Sequence, residues 1–230
     1  VPAPFRVLCV QHQDDCPPGY VGERLEQRGA RVEVVRAQDE LPDPREFQLI
    51  VPLGSDDSSY DESVPYLARE FELLRTAIVA DVPVFGICFG AQLLSRVLGG
   101  RVHVNPTGPE IGWLPVHTSQ PELVAPGPWL VWHLDVIAGA PPGAMEIANT
   151  SVGTQAFVHG RHIGLQFHPE ATVDSATIWA EHYRKELAEA GVDYDALLAE
   201  TRECAPIARE RAHALTDRVL EHTKILSGER

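Results

Sequence analysis

The residues with the clearest chemistry lie at 82–92, Val-Pro-Val-Phe-Gly-Ile-Cys-Phe-Gly-Ala-Gln. An apolar run that reads as a buried strand ends at Gly86-Ile87-Cys88-Phe89-Gly90, and a helical apolar pattern (Leu93, Leu94, Val97, Leu98) follows at once. This is the layout of a nucleophile elbow with cysteine as the nucleophile. Glycines flank such a turn because its backbone is strained and closely packed. A thiol at a helix N-terminus meets unpaired N–H groups and the positive end of the helix dipole, both of which favour thiolate. Far downstream, residues 163–167 read as another short buried strand that runs into His168-Pro169-Glu170. Residues two apart on an extended segment share a face, so Glu170 can reach His168 and hold its charged form. Cys88, His168 and Glu170 are the parts of a covalent acyl-transfer site.

The elements that must position these residues alternate. Residues 7–11, 31–36 and 47–53 read as strands, and residues 19–28 and 64–80 as helices, the latter with Leu67, Phe71, Leu74 and Ile78 at helical spacing. That order predicts an α/β fold: an open, mainly parallel sheet with helices on both faces. Residues 102–166 are rich in Gly, Pro and short apolar runs, which predicts a small antiparallel section. The end of the chain predicts a helical tail, with helices over 176–190, 194–203 and 207–226. Residues 1–190 are expected to form the catalytic domain and 191–230 a helical extension packed on it.

Composition narrows the function. With 19 Lys and Arg against 33 Asp and Glu, the chain carries a formal net charge of −14. That argues against nucleic acid or an anionic membrane as partner. No run approaches the roughly 18 apolar residues of a membrane span, and no charged-then-apolar stretch reads as a secretory signal. A free thiol nucleophile suits a reducing compartment, so a cytoplasmic location is expected. The four cysteines, Cys9, Cys16, Cys88 and Cys204, show no C-x-x-C spacing. His12 and Cys16 lack further ligands nearby, so no metal is expected.

Gly86-Ile87-Cys88-Phe89-Gly90-Ala91-Gln92 together with Gln166-Phe167-His168-Pro169-Glu170 resembles the class I (triad) glutamine amidotransferases, and within them free-standing proteins similar to the glutaminase domain of GMP synthetase. Glu110-Ile111-Gly112-Trp113, Trp132-His133-Leu134-Asp135 and Gln155-Ala156-Phe157 follow the same order. The resemblance implies the flavodoxin-like fold of that family and cleavage of the γ-amide of glutamine through a γ-glutamyl thioester, without a cofactor.

In such folds the ligand crevice lies at the carboxyl ends of the strands. The backbone N–H groups of Gly54, Ser55 and Phe89 are therefore expected to form the oxyanion hole. Relatives usually carry two glycines and a proline where this chain has Gly54-Ser55-Asp56, and a serine forced to positive φ would add strain or leave the peptide flipped. Gln92 stands one helical turn from Cys88, and by resemblance holds the headgroup of glutamine. His133, Asp135 and Glu110 match segments that line the glutamine pocket.

Three readings of the function differ in what leaves. Ammonia would go to a separate synthetase or ligase partner, since no Gly-rich Lys-Ser/Thr loop for ATP occurs. An amine or amino acid would make the chain a γ-glutamyl peptidase or hydrolase. A non-catalytic regulator with the same fold is opposed by the intact Cys88, His168 and Glu170.

Overall fold

The computed structural model describes residues 5–225. In chain order the strands are β1 (Arg6–Gln11), β2 (Arg31–Arg36), β3 (Leu49–Pro52), β4 (Phe85–Ile87), β5 (Val102–Val104), β6 (Glu110–Leu114), β7 (His117–Thr118), β8 (Trp129–His133), β9 (Asp135–Ile137), β10 (Met145–Asn149), β11 (Thr154–His159) and β12 (His162–Leu165). The helices are α1 (Gly19–Gln27), α2 (Leu67–Val79), α3 (Phe89–Val97), α4 (Val173–His182), α5 (Arg184–Glu189) and α6 (Tyr194–His222).

β1 is the centre of a parallel β2-β1-β3 sheet. A parallel bridge from Ile50 to Val84 carries this sheet towards β4, which pairs in parallel with β12. Beyond β12 the order continues antiparallel through β11, β10 and β7. Helices lie between the parallel strands β1, β2, β3 and β4, whereas short turns join the antiparallel β10, β11 and β12, as each connection permits. The β5–β9 and β6–β8 pairs are antiparallel as well.

The two-residue period of β1 sets the layers. Val7 and Cys9 face a core that also contains Val21 and Leu25 of α1 and Leu215 and Val219 of α6. Leu8 and Val10 face the opposite core, with Leu73 and Leu74 of α2 and Leu93 and Leu94 of α3. A strand buried on both faces needs the continuous apolar run that residues 7–10 supply.

The C-terminal helices depart from the sequence expectation twice. The helix expected over 176–190 is two: α4 starts at a Thr172–Ser175 capping box and ends at Tyr183, where α5 begins. Conversely, the helices expected over 194–203 and 207–226 are one, α6, with Pro206 inside it. The expected end at residue 226 lies outside the described residues. An interior proline costs about 3 kcal/mol. Here buried side chains on both sides of it, Leu197, Leu198 and Thr201 before and Ala208, Ala212 and Leu215 after, hold both halves against the body. Thr201 accepts the indole N–H of Trp113 at 3.0 Å, and Asp217 accepts bidentate bonds from both Arg24 and Arg28 of α1.

Because Leu215 belongs to the same core as β1, Leu215→Ala is expected to destabilise the whole chain by about 2–5 kcal/mol. Urea unfolding followed by far-UV and near-UV circular dichroism checks this. Separate transitions for the two signals would show instead that α6 melts by itself.

Candidate active site

Cys88 caps the N-terminus of α3 with φ 51° and ψ −108°. Positive φ is rare for a residue with a side chain, and the surroundings impose it. The Cys88 N–H donates to Leu165 O of β12 at 2.7 Å, and the Cys88 carbonyl accepts from Gln92 N–H at 3.0 Å. The two glycines of the motif serve close approach. A Cβ on Gly86 would stand 2.6 Å from Gly90 O, and one on Gly90 would stand 2.0 Å from Pro52 O. The Gly90 N–H in turn donates to Leu53 O at 3.1 Å, joining the elbow to the end of β3.

His168 and Glu170 follow β12. The His168 N–H donates to Leu130 O of β8, and the Tyr20 N–H, in the first turn of α1, donates to Glu170 O. Nδ1 of His168 lies 2.7 Å from Glu170 Oε1, and Nε2 lies 3.3 Å from the carbonyl oxygen of Trp132. Both partners are acceptors, so the ring donates from both nitrogens and is an imidazolium. Burial acts to lower the His168 pKa, but Glu170 and Cys88 together outweigh it and hold the imidazole well above its usual 6.5. The Cys88 thiol lies 3.8 Å from the same Trp132 carbonyl, and the side-chain amide of Gln166 donates to its sulfur at 3.6 Å.

Gly54 and Ser55 stand beside this pair. A Cβ on Gly54 would come within 3.2 Å of His168 Cε1, so the loop approaches the imidazole as closely as a glycine permits. Ser55 does not have positive φ, so the strain expected from a serine here is not present. Its hydroxyl bonds Tyr66 at 2.9 Å and accepts from Asp57 N–H at 3.2 Å. Phe89, first residue of α3, is among the N–H donors that a helix start leaves without an intrahelical acceptor.

A cavity of about 500 Å³ opens at Cys88, and Ser55, Gln92, His133 and Asp135 also line it. The Gln92 amide donates to Asp135 O at 3.1 Å and to Gln166 Oε1 at 3.3 Å. Asp135 accepts from Tyr60 OH at 2.9 Å. Glu110 is not on this wall. Its carboxylate stands behind His133, with Oε2 3.1 Å from His133 Nε2 and accepting from the Gln155 amide at 2.8 Å, because β6 pairs with β8 in a register that sets Glu110 opposite His133. The structure thus brings Cys88, His168, Glu170, Gly54, Ser55, Phe89, Gln92, His133 and Asp135 around one cleft and leaves Glu110 one layer back.

The sequence did not reveal the Trp132 carbonyl, Trp179 or Tyr183. Trp179 of α4 packs edge-on against His168 at 4.9 Å, and Tyr183 hydrogen-bonds Asp56 of the loop after β3. Gln166 was legible as part of the His-Pro-Glu segment, but its contact with sulfur was not.

A family model for glutamine amidotransferase class-I proteins matches residues 20–179. The chain belongs to the class I glutamine amidotransferases. Similar relatives of this amidotransferase include the glutamine-hydrolysing GMP synthase of Streptomyces avermitilis, 37% identical over 131 residues, which is 53% of this chain and 23% of that protein. The chain therefore spans about a quarter of the length of such GMP synthases. The glutamine amidotransferase-like protein YfeJ of Salmonella typhimurium is 29% identical over 202 residues, covering 81% of this chain and 84% of that one. Among solved structures, a glutamine amidotransferase from Thermotoga maritima superposes with a TM-score of 0.83 at 28% identity, covering 94% of this chain and 98% of that one. The mixed α/β architecture of the amidotransferase is that of its structural neighbours. Among the described residues, no helix is long and apolar enough to cross a membrane.

The charged His168 yields a titration with a defined sign. Its folded midpoint lies above 6.5, so the stabilisation it carries is complete below about 6.5 and is lost as pH rises through that higher midpoint. Replacing Glu170 by Gln removes the carboxylate that favours the cation, so the midpoint should fall. Imidazole NMR titration of wild type and Glu170→Gln checks this, and an unchanged midpoint would show that Glu170 does not hold the proton.

Proposed function

We propose that the chain is a hydrolase of the γ-amide of glutamine, using Cys88, His168 and Glu170 as a catalytic triad. The observation that carries this reading is the meeting of a strained elbow thiol with a buried imidazolium–carboxylate pair at the mouth of a cavity. The Cys88 thiolate attacks the γ-carbonyl carbon. Charge develops on the carbonyl oxygen, which the N–H groups of Ser55 and Phe89, with that of Gly54, would receive. His168 gives its proton to the leaving nitrogen as the C–N bond breaks, and ammonia departs. The γ-glutamyl thioester that remains is attacked by water, whose proton His168 takes. The C–S bond breaks and glutamate leaves. Glu170 orients the ring and stabilises its charge throughout.

The ammonia would go to a separate synthetase or ligase. Support comes from the relatives named as glutamine-hydrolysing GMP synthases, of which the chain matches about a quarter. A second reading, cleavage of larger γ-glutamyl amides or peptides, is favoured by the cavity. Its 500 Å³ falls within the roughly 300–1,000 Å³ of pockets that bury ligands larger than an amino acid.

Cys88→Ala should abolish glutamate release, and a chloroketone analogue of glutamine should label wild type once, at Cys88. Turnover surviving in Cys88→Ala would refute the triad. Ammonia and glutamate release, measured across glutamine, glutathione and γ-glutamyl amines, separates the two readings. A clear preference for glutamine supports the ammonia donor, and comparable or faster cleavage of the larger amides supports the peptidase.

A further inference from the structure

A second histidine–glutamate pair lies beneath the cleft, and the triad does not use it. His12 follows β1 and is 2% exposed; Glu70 of α2 is fully buried. Nε2 of His12 lies 2.8 Å from Glu70 Oε2, and Nδ1 lies 3.0 Å from the carbonyl oxygen of Gly54. The other carboxylate oxygen of Glu70 is buried without a hydrogen-bond partner. A buried acid left half satisfied is costly, so its retention calls for a reason beyond packing. The ring is also wedged between Tyr66, at 5.3 Å, and Phe89, at 4.7 Å.

We propose that His12 and Glu70 are positioning residues that set the orientation of the oxyanion peptide. The Gly54–Ser55 peptide is trans, and in a trans peptide the C=O and the next N–H point in opposite directions. Holding the Gly54 carbonyl on the His12 side therefore sends the Ser55 N–H the other way, and Ser55 lines the cavity that holds Cys88. Gly54 O accepts only, so Nδ1 must carry a proton. Glu70 on the opposite nitrogen, 2.8 Å from Nε2, fixes the ring in the orientation that aims Nδ1 at Gly54 O. Without the Nδ1–H donor, the glycine peptide is free to rotate, and a rotated peptide turns a carbonyl rather than an N–H towards the developing oxyanion. The pair touches no reacting atom. It acts through residues 54 and 55 and through the ring of Phe89, which carries the second donor.

This role rests on the proposed γ-amide hydrolysis, and one set of measurements distinguishes failure of either. The first is the rate of γ-glutamyl thioester formation in a single turnover at saturating glutamine. The second is alkylation of Cys88 by iodoacetamide, in which sulfur displaces iodide and no oxyanion forms. His12→Phe keeps a ring between Tyr66 and Phe89 but has no donor. It should slow thioester formation about 100-fold or more, leave KM within a few-fold of wild type because the lost interaction belongs to the transition state, and alkylate at the wild-type rate. His12→Asn places an amide N–H where Nδ1 stands and should recover most of the rate. His12→Gln reaches the Nε2 position and should not. That comparison carries the test if His12→Phe does not fold. Glu70→Gln, which can still satisfy Nε2, should cost less than His12→Phe. Equal acylation rates for the Asn and Gln variants would overturn the proposal. So would a fall in alkylation that matches the fall in acylation, since the pair would then act on the thiol. A wild-type chain that forms no thioester from any γ-glutamyl amide overturns the hydrolase reading itself, and this role with it.

Discussion

The left-handed backbone of Cys88, φ 51°, is the constraint on which the rest of the site depends. Such a residue costs of order 1–3 kcal/mol and persists only where its surroundings over-determine it. Three elements do so here. β12 accepts the Cys88 N–H, α3 closes its first turn on the Cys88 carbonyl, and β3 ends against Gly90 with no room for a Cβ. The same contacts that hold the elbow also place its partners. Leu165, which holds Cys88, lies three residues before His168. Leu53, which holds Gly90, directly precedes Gly54. Thiol, imidazole and oxyanion loop are therefore referenced to one strained peptide rather than to separate supports.

Two buried histidine–glutamate pairs bracket that peptide. His168–Glu170 is local, two residues apart in the turn that follows β12, and its carbonyl partner on Nε2 comes from Trp132. His12–Glu70 spans 58 positions and its carbonyl partner on Nδ1 is Gly54. In each, one carboxylate oxygen is buried without a partner, a cost of about 1–3 kcal/mol per group. Folding stability alone does not favour such pairs over well-packed apolar side chains. Both make sense as devices that orient a ring: His168 towards the thiol, and His12 towards the Gly54 carbonyl.

The helices after His168 complete the enclosure. Trp179 of α4 packs on the imidazole, Tyr183 at the α4–α5 break bonds Asp56, and α6 runs back along α1 into the main core. The match to the family model stops at residue 179, before α5 and α6, yet α6 shares buried contacts with β1. Its second half follows Pro206 without a break because the apolar face continues past the proline.

The local sequence determined a good deal. The glycines around Cys88, the His-Pro-Glu exit from a strand and the double-sided apolar run of β1 each encode their structure within a few residues, through backbone strain, a two-residue period and burial on both faces. The ends of α1 and α3 were legible for the same reason, since the glycine stops Gly29 and Gly99 act within one turn. Three things were decided only by the tertiary structure. Whether Pro206 breaks a helix depends on what the helix packs against. Glu110 sits behind His133 rather than on the cleft because strand register, which no motif states, fixes what lies opposite. The pairing of His12 with Glu70, and the use of the Trp132 and Gly54 carbonyls, joins groups far apart in sequence or groups that every residue carries. A carbonyl has no signature in a string of side chains, so only the folded geometry can assign it a task.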